Sequence, residues 1–135
     1  MEASNKWISP LDVSVVLFGD MAVFAAFVIF GEIGHGMIDG RALIRTALPF
    51  AMTWCIVAPW FGVFRASAVY SVRMLIWKIP LTWMLCGTIA LLARALLTEG
   101  SLTPVFVLVA LTFQGVLLVG WRGVYMLVSS RVSRL

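Results

Sequence analysis

Four apolar runs, each about as long as a bilayer is thick, constrain this chain more than any other feature. They cover residues 11–30, 47–64, 79–97 and 104–125. A helix needs about 20 apolar residues to cross hydrocarbon. Of the 135 residues, 62% are hydrophobic and 12% charged, where a soluble domain carries about 25% charged. A soluble domain of this length has too little interior to hide so much apolar surface. The sequence therefore predicts an all-α fold, a four-helix transmembrane bundle with short loops, as a single membrane domain over residues 1–135.

Charge sets the expected orientation. Four spans place both termini and the second loop on one side, with Lys6, Arg65, Arg73, Lys78, Arg131 and Arg134. The opposite side has Arg41 and Arg45. The excess of basic residues marks the cytoplasmic face, so both termini are expected in the cytoplasm and the protein in the cell membrane. Trp7, Trp60, Tyr70, Trp77, Trp121 and Tyr125 fall near that same interface, as an aromatic belt would.

Local signals shape the spans. Asp12 suits the orphan backbone donors of the first helical turn. Thr46 reads as the N-cap of the second span, with Pro49 in its first turn. Pro59 predicts a kink inside that span. Residues 69–77 predict a short amphipathic helix lying along the interface. Pro80 and Pro104 fit the first turns of the third and fourth spans.

Several function classes lose support. The net charge of +4 does not come from a dense basic face, so no nucleic-acid partner is expected. Cys55 and Cys86 lie inside apolar runs without CxxC or Cys/His spacing, and read as two small buried thiols. The first run lacks a cleavage site, so a retained span is expected rather than a signal peptide. Glu2 stands where myristoylation needs glycine. The glycines Gly31, Gly34 and Gly36 follow no strand and so make no phosphate loop. Neither a metal site nor another cofactor is expected: His35, Glu32 and Asp39 match no specific metal spacing. One histidine in a loop gives no Ser/His/Asp or Cys/His arrangement, and an enzyme is not expected.

The polar residues inside the runs carry the functional question. Asp20 lies about 14 Å from either end of its span at 1.5 Å per residue, near the midplane. An intramembrane acid is a functional candidate by default. Arg94 and Arg122 are its two candidate counter-charges, and the sequence does not choose between them. Phe24, Phe27 and Gly31 share the helical face of Asp20. Gly87 and Ala90 form a small-residue face that turns Arg94 toward the bundle. Gln114, with Thr112, offers an interhelical hydrogen bond. Glu32, His35, Asp39, Arg41 and Arg45 form an outer loop cluster, joined by Arg94 and Glu99, and either solvate the loops or line a vestibule toward Asp20.

The chain resembles a family of small prokaryotic four-span membrane proteins of unknown function. The residues that carry the likeness are Asp20, the Gly31…His35-Gly36 loop, Thr46 with Pro49-Phe50, Arg94, Phe106-Val107-Leu108-Val109 and Gly120-Trp121-Arg122. They span nearly the whole chain. The resemblance implies the architecture and picks out the same polar residues, but implies no mechanism.

Two readings of function follow. One is small-solute, ion or proton-linked transport by a homo-oligomer, with Asp20 as the titrating centre and Arg94 or Arg122 as counter-charge. The other is a non-catalytic accessory subunit of a larger membrane complex, contacting lipid or a lipid-like pigment. In both, the lipid bilayer is the principal partner.

Overall fold

A computed structural model of the protein describes residues 7–34, 36, 39–98 and 102–135. His35 and Glu99 lie outside the described residues. The elements run in order as α1 (Pro10–Gly34), α2 (Gly40–Val57), a 3-10 turn (Ala58–Phe61), α3 (Ala66–Val69), α4 (Val72–Thr98) and α5 (Pro104–Val132). Among the described residues, three helices, Pro10–Gly34, Val72–Leu97 and Pro104–Val132, are long and apolar enough to cross a membrane. The other long helix, α2, is diluted by Gly40, Arg41, Arg45 and Pro49.

Capping residues fix the helix starts, and they differ from expectation in two places. At α1 the cap is Ser9, followed by Pro10 in the favoured first position. The Ser9 hydroxyl accepts the Asp12 N–H at 3.1 Å and donates to the Asp12 carboxylate at 2.6 Å. Asp12 thus partners the cap instead of acting as one. At α2 the cap is Asp39, in extended conformation, whose side chain accepts the Arg41 N–H at 3.0 Å. Thr46 is therefore inside the helix and caps nothing. The residues before it include good helix formers, and an upstream Asp is the stronger stop. This moves Arg41 and Arg45 from the loop onto α2, and Pro49 from the first turn to the helix interior. Glu32 likewise belongs to α1 and not to a loop.

Pro59 ends the helix where a kink was expected. The helix α2 stops at Val57, and Pro59 falls at the start of the 3-10 turn. Gly62 closes that turn at φ 68°, a left-handed conformation that glycine adopts without steric cost. The expected interfacial helix over residues 69–77 is also replaced. Residues from Val72 onward belong to α4, which continues through Pro80 to Thr98. The reason is a single buried stripe at helical spacing: Leu75, Ile79, Trp83, Cys86 and Ala90. Leu75 and Ile79 gain burial only if the helix is continuous.

The helices close into a ring in the order α1, α2, α4, α5, with α5 returning to α1. Phe24, Phe50, Trp54, Trp83 and Leu118 fill its centre and are almost wholly buried. The outside is apolar too: Phe18 is 78% exposed, Trp60 86% and Leu96 84%. A water-soluble monomer rarely carries an apolar surface so extensive. Cys55 joins this exposed surface, contrary to the expectation of two buried thiols, while Cys86 is buried.

Candidate functional site

Asp20 and Arg122 meet in the core as a two-pronged ion pair. Arg122 Nη2 lies 2.6 Å from Asp20 Oδ2, and Arg122 Nε lies 3.0 Å from Oδ1. Asp20 is fully buried and Arg122 is 2% exposed. The fork geometry of guanidinium on carboxylate makes this the strong form of such a pair. Two further groups complete it. The Trp54 indole N–H donates to Asp20 Oδ2 at 2.9 Å, and Arg122 Nη1 donates to the Val63 carbonyl at 2.8 Å. The Arg122 guanidinium also lies 4.9 Å from the Phe64 ring centre.

Each member arrives from a different element. Asp20 comes from α1, Trp54 from α2, Val63 from the segment after the 3-10 turn, and Arg122 from α5. The site therefore ties both ends of the chain to the irregular segment that follows α2. That segment is also held by the Ile8 N–H donating to the Phe64 carbonyl at 3.2 Å. Removing one member of a buried pair costs about 3–5 kcal/mol, because the other charge is left unmet.

Close packing of α1 on α5 supports the pair. A Cβ on Gly19 would lie 1.9 Å from the Trp121 ring, so this contact needs glycine. Trp121 Nε1 also points at the Val16 carbonyl, at 3.4 Å. Tyr125 donates to Asp12 Oδ1 at 2.9 Å. Of the expected aromatic belt, then, Trp121 and Tyr125 brace α1, whereas Trp7, Trp60, Tyr70 and Trp77 remain exposed. Beside this contact an apolar groove of about 350 Å³ runs along the outside of α1 and α5, lined by Phe18, Gly19, Ala22, Val23, Ala26, Phe30, Leu117 and Trp121.

An aromatic layer lies next to the pair. Phe24 stacks on Trp83 with ring centres 5.5 Å apart and meets Trp54 edge-on at 6.2 Å. Phe50 packs on Trp83 at 5.6 Å. Trp83 places its indole N–H on the Leu111 carbonyl at 2.9 Å.

The remaining polar candidates do not gather around Asp20. Arg94 sits on α4 with its guanidinium 4.6 Å from the Phe106 ring centre. Glu32 accepts the Asp39 N–H at 3.1 Å, and Asp39 caps α2. Arg41 and Arg45 are exposed, as is Gly31, which drops out of the face shared by Asp20, Phe24 and Phe27. Gln114 is fully buried, yet its amide nitrogen and oxygen have no protein hydrogen-bond partner among the described residues. The interhelical bond expected of it is not formed, and Thr112 faces outward. An unmet buried amide costs about 1–3 kcal/mol per group, so Gln114 is an anomaly in this core. Among the described residues, no group of three or more His, Cys, Asp or Glu could hold a metal ion.

Sequence reasoning missed Trp54 and the Val63 carbonyl. The signal for Trp54 was its place well inside an apolar run: a buried indole N–H needs an acceptor, and Asp20 is the acid deep in the first run. Val63 had no signal, because a carbonyl is freed only by the way the chain leaves α2.

The whole site falls within a family match. The model of a family described as "Protein of unknown function (DUF3054)" matches residues 17–125, and the chain belongs to this family. Neither a curated protein nor a solved structure matches the chain.

Proposed function

We propose that this member of the DUF3054 family is a four-span protein of the cell membrane, a single bundle domain with both termini in the cytoplasm. The fourth span is α2. Its 18 residues rise about 27 Å, close to the hydrocarbon thickness. Phe50 and Trp54 bury its inner face against α1 and α4. Arg41 and Arg45 stand at the end of α2 where long side chains reach the headgroups. Arg65, Arg73, Lys78, Arg131 and Arg134 gather at the opposite end and support the cytoplasmic assignment.

Within that frame the protein is a non-catalytic accessory subunit, and the Asp20–Arg122 pair is a latch that fixes its shape. The observation that carries this reading is that protein groups face the pair on every side: Trp54, the Val63 carbonyl and the two charges themselves. A carboxylate held by three donors is poorly placed to exchange protons with a passing substrate. The apolar exterior, including the groove on α1 and α5, suits contact with lipid, further copies or a larger membrane protein. The test is twofold. Protein extracted from its native membranes in mild detergent should co-purify with a stoichiometric membrane partner, and purified protein in liposomes should leave an imposed pH gradient intact. Dissipation of that gradient by wild type but not by Asp20→Asn would overturn the reading.

One observation favours transport as the second reading. Gln114 lies on the same face of α5 as Arg122, and its unmet amide is a second polar point inside the bundle, beyond the aromatic layer. In that reading the latch opens during proton-linked or ion passage, in an oligomer, and Asp20 takes the proton.

A further inference from the structure

Among the described residues, Gln114 is a fully buried side chain whose polar atoms break the pattern of this bundle's interior. Buried polar groups in folded proteins are met by protein or by ordered water. Asp20 and Arg122 follow that rule through protein groups alone. Gln114 presents an acceptor and two donors to the core, and no described protein atom meets them. Its height in the bundle can be read from its neighbours. Gly87 opposes Leu111, Trp83 opposes Gly115, and Leu75 opposes Gly123. These three pairs share one antiparallel register between α4 and α5. That register sets Gln114 level with residues 83–85 of α4. Thr82 and Cys86, both on the buried stripe of α4, bracket that height at less than a turn on either side. On the other flank, Phe113 packs against Phe27 of α1 at 6.1 Å. Gln114 thus enters the core between α1 and α4.

Ala110, Cys86 and Ala90 are small side chains on the side of Gln114 away from Asp20, whereas Trp83 fills the space beside Gly115 and, with Phe24, Phe50 and Trp54, crowds the side toward Asp20. A bound water needs two to four polar partners. Gln114 gives one acceptor and a donor pair, the Thr82 hydroxyl adds a donor and an acceptor, and the Cys86 thiol is a weak third group.

We propose that Gln114 anchors a water-binding site inside the bundle, completed by Thr82 and Cys86 and sealed from the Asp20–Arg122 pair by the aromatic layer. The site lies two helical turns from Arg122 along α5, about 12 Å. It stands apart from both functional readings, since a hydrated pocket above an aromatic seal suits a rigid subunit and a permeation path alike.

The test uses the wild-type protein, because Gln114 is the single glutamine of the chain. Side-chain 15N-glutamine labelling then gives one amide signal in lipid nanodiscs. The Trp83 indole N–H, at the same height and bonded to the Leu111 carbonyl, is the dry control. Gln114 Nε2 protons should show magnetisation transfer from water and exchange with deuterium at least about tenfold faster than the Trp83 indole. Equal exchange rates at the two positions, both slow or both fast, would overturn the site. The first result means a dry amide, and the second a core opened to solvent throughout.

Discussion

Two buried polar groups on one face of α5, two turns apart, have opposite surroundings. Arg122 reaches an acid of α1 and, from the segment after the 3-10 turn, a backbone carbonyl and an aromatic ring. Gln114 reaches no described protein partner at all. The contrast separates two ways of keeping polarity in an apolar core. At Arg122 every partner is supplied by folding, so the group specifies a geometry. At Gln114 folding leaves a demand that no described protein group meets, and the proposed water site answers it. The charged site also draws in irregular chain, since Val63 can accept only because the helix ended at Val57. The neutral site sits between intact helices.

The comparison can be broken by experiment. The largest effect is expected at Arg122→Ala, which strands the Asp20 carboxylate and should lower unfolding free energy by about 3–5 kcal/mol, read by denaturation in mixed micelles. The paired change Asp20→Leu with Arg122→Met should recover part of that loss, because an apolar pair removes the stranded charge but leaves the Trp54 N–H and the Val63 carbonyl without their partners. A double variant no better than Arg122→Ala would show that the segment around Val63, and not the charges, holds the bundle. Trp54→Phe keeps the ring and removes one donor to a charged acceptor, an expected loss of about 1.5–3 kcal/mol in the same assay. Gly19→Ala forces a methyl into the Trp121 contact and should cost about 1–3 kcal/mol, with a shift in Trp fluorescence. Gln114→Leu should be the mildest, within about 1 kcal/mol of wild type, since it breaks no hydrogen bond to a described protein group. A loss at Gln114 as large as that at Arg122 would mean the two sites do the same structural work.

Much of the architecture was legible. Apolar runs of bilayer length gave the long helices, and proline or glycine marked several of their ends. The boundaries that shifted did so for tertiary reasons. The helix α4 begins at Val72 because Leu75 and Ile79 find a core to enter, and no local rule separates that from an interfacial helix. The cap at α2 moved to Asp39 because Asp outranks Thr as a cap and has helix formers behind it. At the candidate site, the sequence singled out Asp20, Arg122 and Gln114 as polar groups in apolar surroundings. It gave no basis for joining Asp20 to Arg122 over Arg94, or for Trp54.

By itself, then, the sequence determined composition-driven properties: helices throughout, spans of bilayer length, and which polar residues would be costly to bury. These follow from period and length, which are local. The tertiary structure alone decided the partners. Whether a guanidinium over a hundred residues away reaches Asp20 depends on the ring order of the helices and on the register of α1 against α5. Neither quantity is local, so neither is written in any single stretch of the chain.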